Sequence, residues 1–474
     1  MNNKIQKDNK WVIFILVATA IFMSTLDSSI VNIALPYIMK DLHTRVNIIQ
    51  WAVLAYLVTI SSLLLTFGRL SDTKGRRIIY VSGFVVFTFS SFLCSIASTP
   101  LFLIVSRGIQ GLGSAMLMAC SPAIITDIFP PKERGKALGM VGAVVAGGLT
   151  AGPVAGGILL DLFSWRSIFY LNIPIGIIAM FAGFFILKGT SADKGNNEPL
   201  DWKGSILQVI GICSFVILLT HLDRWEVLSF KSIFLFILSL TALIFFARTE
   251  KTADFPLLDP NLFKIKLFLY PTISSAVLFA ALFSIVFLMP FYLTYPCGYS
   301  ASATGFIMIT PFIFLFFLSP VSGTMYDKIG SQWLCSAGIS LLTLAIISFI
   351  FIDSQPPTIS ILWRLALAGT GTALFTSPNN TAALNSTPLS KRGIASGSVA
   401  TSRNIGMVMG ISIVGLIFSS TYANLTGGAS LENYSNEMVS FFMTAFKRAM
   451  TAGAVIASLG IILSHMRGKD KPSQ

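Results

Sequence analysis

Charge is what this sequence has least of. Asp, Glu, Lys and Arg make up 11% of its 474 residues, under half of the roughly 25% usual in soluble domains. Hydrophobic residues make up 54%, and the mean hydropathy is +0.77. Together these exclude an ordinary soluble enzyme and a disordered chain. Histidine is scarce: His43, His221 and His465 stand at the ends of apolar segments and form no metal or nucleophile constellation. The five cysteines (Cys94, Cys120, Cys213, Cys297, Cys335) are scattered and show neither metal spacing nor a disulfide framework. No G-x-x-x-x-G-K-[ST] string occurs, so an ATP-driven pump would have no phosphate cradle.

Long apolar runs are what is there. They fall at about 11–38, 49–70, 78–97, 101–128, 135–162, 167–188, 204–221, 231–248, 269–295, 303–324, 333–353, 359–381, 393–418 and 444–466. Each of the fourteen is long enough to cross a hydrocarbon core of about 30 Å as a helix at 1.5 Å per residue. None shows the alternation of a barrel strand. The first is read as a retained signal anchor rather than a cleaved leader. It runs past Asp27 to Pro36, too long for a signal's apolar region, and no small-x-small site ends it.

The net charge of +13 is read as a positive-inside bias rather than a nucleic-acid surface. With the N-terminus inside, 23 of the 33 Lys and Arg fall in inner segments and seven in outer loops. Arg107, Arg364 and Arg403 remain within the membrane. This predicts both termini in the cytoplasm.

The chain repeats itself. Gly68, Asp72 and Gly75 follow segment 2, and Gly323, Asp327 and Gly330 follow segment 10, 255 positions later. Arg107, Gly111, Gly113 and Pro122 in segment 4 match Arg364, Gly369, Gly371 and Pro378 in segment 12. Arg134-Gly135-Lys136-Ala137-Leu138-Gly139 matches Arg392-Gly393-Ile394-Ala395-Ser396-Gly397 at an offset of 258. The offset spans eight segments, an even number, so the two halves run the same way through the membrane. This predicts an all-α membrane protein of two parallel six-helix bundles, 1–188 and 267–474. An inserted pair, segments 7 and 8, lies within 189–266 with its linkers.

Several strings are specific. Gly68-Arg69-Leu70-Ser71-Asp72-Thr73-Lys74-Gly75-Arg76-Arg77 follows segment 2. Segment 1 carries Leu26-Asp27-Ser28-Ser29-Ile30-Val31-Asn32-Ile33-Ala34-Leu35-Pro36, and segment 4 carries Arg107-Gly108-Ile109-Gln110-Gly111-Leu112-Gly113. Segment 5 carries Gly148-Leu149-Thr150-Ala151-Gly152-Pro153-Val154-Ala155-Gly156-Gly157, and Trp165-Arg166-Ser167-Ile168-Phe169 leads to Asn172-Ile173-Pro174. Together they resemble the major facilitator superfamily, in its fourteen-helix drug:proton antiporter branch of EmrB/QacA-like exporters, over essentially the whole chain. The resemblance implies proton-driven export of amphipathic compounds across a bacterial cytoplasmic membrane by one cavity in a monomer. It implies no cofactor beyond the proton gradient, and small molecules, protons and lipid, but no nucleic acid, as partners. A dedicated exporter of one metabolite or antibiotic is the alternative within transport. A non-transporting sensor is the alternative outside it, and an integral membrane enzyme would need clustered catalytic groups that are not seen.

Asp27 carries the most weight. Of 20 acids it alone lies deep in an apolar segment, where an ionised carboxylate costs several kcal/mol. A group that burial and a nearby cation push in opposite directions can change protonation as a cavity opens to either side. A permanently hydrogen-bonded structural acid is the bland alternative. Depth suggests the partner. Asp27 stands about 24 Å above Trp11, and Arg107 about 21 Å up the same core. For Arg107 the other reading is a packing anchor on backbone carbonyls.

The second half offers no equivalent acid, since Leu282 stands where Asp27 does in the first. One membrane acid against three bases favours monocationic, neutral, zwitterionic or anionic cargo over dications. Arg403, about 15 Å into segment 13, is a candidate cargo contact or a structural anchor. Ser28, Asn32, Tyr56, Gln110 and Tyr292 are further cavity candidates, with interface anchoring as the alternative for the aromatics.

Gly68 and Gly75 suit a tight turn. The resemblance implies that Asp72, with Arg76 beside it, gates the inner face against the start of segment 13, and that Asp327 does so against segment 5. Cations of that loop also serve topology. Gly148, Gly152 and Gly156, spaced by four with Pro153 among them, suit close helix packing. By resemblance they form an interface that flexes without leaking protons.

Overall fold

A computed structural model describes residues 10–188, 200–221, 229–253, 256–388, 391–468 and 470. Fourteen helices among them are long and apolar enough to cross a membrane. They are α1 (Lys10–Asp41), α2 (Val46–Lys74), α3 (Arg76–Ser95), α4 (Pro100–Ile128), α5 (Lys136–Leu162), α6 (Ser167–Ile186) and α7 (Trp202–His221). After them come α8 (Phe230–Thr252), α9 (Lys266–Thr294), α10 (Ala301–Ile329), α11 (Ser331–Ile350), α12 (Thr358–Asn385), α13 (Arg392–Thr426) and α14 (Asn436–Met466). We call the face where α1 begins and α14 ends the near face, and its opposite the far face.

Local chemistry sets the helix ends. Thr99 accepts a hydrogen bond from the Phe102 amide, and Pro100 opens α4. Ser229 and Ser300 cap α8 and α10 in the same way. Gly75 (φ 92°) and Gly330 (φ 76°) turn the chain between α2 and α3 and between α10 and α11. Both sit in the left-handed region that favours glycine. Inside the spans, many Ser and Thr hydroxyls return to carbonyls three or four residues back, as Thr25 does to Ile21 at 2.8 Å, which satisfies them where water is absent.

The repeat reappears as packing. Gly113 of α4 lies against the Phe87 backbone of α3, and Gly371 of α12 against the Leu342 backbone of α11. Gly148 and Gly152 of α5 press on Thr25 and Ser29 of α1. Gly406 and Gly410 of α13 press on Ala276 and Ala280 of α9. Small residues let these backbones close.

The halves meet along the far face. Asp161 accepts from the amides of Ala301 (3.1 Å) and Ser302 (2.9 Å) at the start of α10. Gly157 abuts Ala301, and Gly415 abuts Gln50. His43 pairs with Glu432 at 2.5 Å. At the near ends of α5 and α13, by contrast, a Cβ added at Gly139, Gly142 or Gly393 would meet nothing within 4 Å. These three near-end glycines are exposed. The inserted α7 packs on both α2 and α13, with Gln208 donating to the Ser61 carbonyl at 3.4 Å. Partner α8 exposes most of its Phe and Leu side chains outward. Of the expected linkers, 189–199 and 254–255 lie outside the described residues.

Candidate functional site

Asp27 and Arg107 are both fully buried, and Arg107 Nη1 donates to Asp27 Oδ2. The other carboxylate oxygen accepts from Gln110 Nε2 and from Asn172 Nδ2, each at 3.0 Å. Three helices thus converge on one acid: α1 brings Asp27, α4 brings Arg107 and Gln110 one turn apart, and α6 brings Asn172. A second ring of bonds holds these partners. Arg107 Nε donates to the Ala52 carbonyl at 2.7 Å, and Gln110 Nε2 also reaches Ser91 Oγ at 2.8 Å. The guanidinium lies over the Tyr56 ring, 4.3 Å from its centre. Tyr56 donates to the Ser24 carbonyl (3.0 Å) and Ser114 Oγ (2.9 Å).

Every group around Asp27 donates. An ionised carboxylate can accept all these bonds; a protonated one cannot keep them all, because its own hydrogen then needs an acceptor. A proton arriving here must break the arrangement. Sequence reading missed Asn172 as a partner, although it stood in a quoted motif. An amide five residues into an otherwise apolar helix was the available signal. Ser91 gave none.

The remaining candidates lie elsewhere. Ser28 is partly exposed and bonds the Thr25 carbonyl. Asn32 is buried, donates to the Ser28 carbonyl at 2.8 Å, and has an Oδ1 without a hydrogen-bond partner. Tyr56 and Gln110 are buried within the acid cluster. Tyr292 is likewise buried within the second half, stacked on Phe446 and bonded to the Asp353 carbonyl at 2.6 Å. Arg364 bonds the Ser348 carbonyl at 3.0 Å and lies over Trp363, as a backbone anchor does. Arg403 leans over Phe279, partly exposed.

On the near face Asp72 bonds Arg76 at 2.9 Å, and Arg76 also pairs with Asp127. Asp72 is thus held within its own half. Asp327 is exposed, with no ion pair among the described residues. Gly68 has open space around it, whereas Gly156 sits on Ile30 and the Pro153 carbonyl meets Gly305 of α10. No group of metal-ligating residues occurs among the described residues.

Two parallel helical bundles, the first holding a buried ion pair, fit a membrane transporter. The model of the Major Facilitator Superfamily matches residues 17–411, and the chain belongs to that family. It is 34% identical over 468 residues to the riboflavin transporter RibZ of Clostridioides difficile, covering 98% of this chain and 99% of that one. It is 30% identical to the multidrug transporter protein MdtP of Bacillus subtilis, covering 86% and 75%. Among solved structures, a bacterial homologue of the human lysosomal transporter Spinster, inward-facing and unoccupied, superposes with a TM-score of 0.72. It is 14% identical and covers 97% of both chains, a likeness of fold alone. Family and relatives are transporters, not enzymes.

Proposed function

We propose that the chain exports amphipathic small molecules in exchange for protons, with Asp27 as the coupling carboxyl and Arg107 as its counter-charge. The observation that carries this reading is the buried cluster itself: one acid, held by three donors, with no water-accessible surface. Protonation discharges Asp27 and frees Arg107. Deprotonation restores the pair. The exchange needs no cofactor beyond the proton gradient, and one cavity between the halves suits a monomer.

The 23-to-7 distribution of Lys and Arg supports a cytoplasmic near face in the bacterial inner membrane, and the contacts between the halves at the far face then suit an inward-facing arrangement. Asp72 with Gly68, Gly75 and Arg76, and Asp327 in the repeat, then engage the starts of α13 and α5 when that face closes. The glycines at 148, 152 and 156 and Pro153 keep α5 tight on α1 through the movement.

A dedicated carrier of one metabolite is the second reading. Identity of 34% over nearly full length to a protein named a riboflavin transporter supports it. Uptake of riboflavin and of structurally unrelated dyes into everted membrane vesicles separates the two. Accumulation of several unrelated compounds, abolished by collapsing the proton gradient, fits the exporter. Accumulation of one compound alone fits the carrier, and none at all would leave the sensor.

A further inference from the structure

Arg403 is an arginine without an anion. It lies eleven residues into α13, about 16 Å from the helix start. Its Nε is buried with no hydrogen-bond partner, and no ion pair reaches it among the described residues. The chain has no acid to offer it. From α9 to α14 the acids stand at helix ends or in loops: Asp327, Asp353, Glu432, Glu437 and Asp470. Asp27 is already engaged by Arg107. Such a cation is costly in a membrane interior and marks a cargo or ion pathway.

Its surroundings fit that use. One flank of α13 is fixed to α9, since Ser402 bonds the Thr272 carbonyl at 2.7 Å and Gly406 abuts Ala276. Six residues earlier, Gly397 abuts Leu65 of α2 in the other half. Arg403 therefore stands beside the seam between the halves, with its guanidinium 5.6 Å from the centre of the Phe279 ring. Nor is the charge part of the repeated scaffold. The packing glycines of α5 recur in α13 258 positions later, but the counterpart of Arg403 is Val145.

We propose that Arg403 is the anion subsite of the transport cavity. The cargo it fits is an amphipathic acid, with a carboxylate, phosphate or similar group on the guanidinium fork and an apolar body against Phe279. This rests on the transport reading above and adds a charge balance to it. If n protons enter for each monoanion that leaves, n + 1 positive charges move inward, so an interior-negative potential drives the exchange.

The test is binding to full-length protein in nanodiscs without a gradient, using matched pairs: riboflavin 5′-phosphate with riboflavin, and 2-naphthoate with its methyl ester. Wild type should bind an anionic member about 10- to 100-fold more tightly than Arg403→Gln does, with Arg403→Lys between them. Neutral members should bind both alike. An unchanged Kd for the anionic members in Arg403→Gln would overturn the proposal, as would their failure to bind wild type. Asp27→Asn should keep the anion preference. A failure of proton coupling is therefore distinguishable from a failure of this subsite.

Discussion

Arg107 donates to Asp27 through Nη1 and to the Ala52 carbonyl through Nε, so one side chain ties α1, α2 and α4 together at the buried acid. Removing one member of a buried pair strands the other. Arg107→Ala should lower the stability of the protein in detergent by about 3–5 kcal/mol, read as a fall in the unfolding midpoint. Adding Asp27→Asn should recover part of that loss. Full proton-coupled transport in Arg107→Ala would remove Arg107 from the coupling role and leave it a packing anchor.

The glycines divide by what surrounds them. A Cβ at Gly152 collides with Ser29 and at Gly410 with the Ala280 backbone, whereas Gly139 and Gly142 have open space. Gly152→Ala and Gly410→Ala should each cost about 1–3 kcal/mol through overpacking. Gly139→Ala should be neutral or gain up to about 1 kcal/mol from helix propensity. Equal effects at both kinds of site would contradict the packing account.

His43 and Glu432 join the halves across the far face, outside the membrane spans. Donating a hydrogen bond to the charged Glu432 carboxylate raises the His43 pKa above its ordinary value. The contact thus favours far-face closure fully below that ordinary value, and the contribution is lost as pH rises through the raised one. Labelling of a cysteine placed at Ser302 should therefore speed up with pH over that window. Glu432→Gln should flatten the dependence. An identical profile in the variant would exclude His43 as its source.

Much of this architecture was legible in the chain. Fourteen apolar runs and one offset near 256 gave the helix count and the two matched bundles, because hydropathy and spacing are linear properties. Depth, too, is linear: counting residues brought Asp27 and Arg107 to one height. Direction around a helix is not. Asn172 shares that height region, but nothing in its position along α6 says that it turns to Asp27. The same limit hid the burial of Tyr56 and Tyr292, whose hydroxyls find carbonyls on a neighbouring helix and in the loop between α11 and α12. Asp72 showed a different limit: the string does not say which partner it takes, and here it bonds Arg76.

Proton exchange at Asp27 is tested most directly in proteoliposomes carrying a pH-sensitive dye in the lumen. Adding a transported compound to wild type should move protons across the membrane in step with the compound. Asp27→Asn should bind the compound and still unfold as a cooperative protein, yet move no protons with it. Undiminished proton movement in Asp27→Asn would contradict the account.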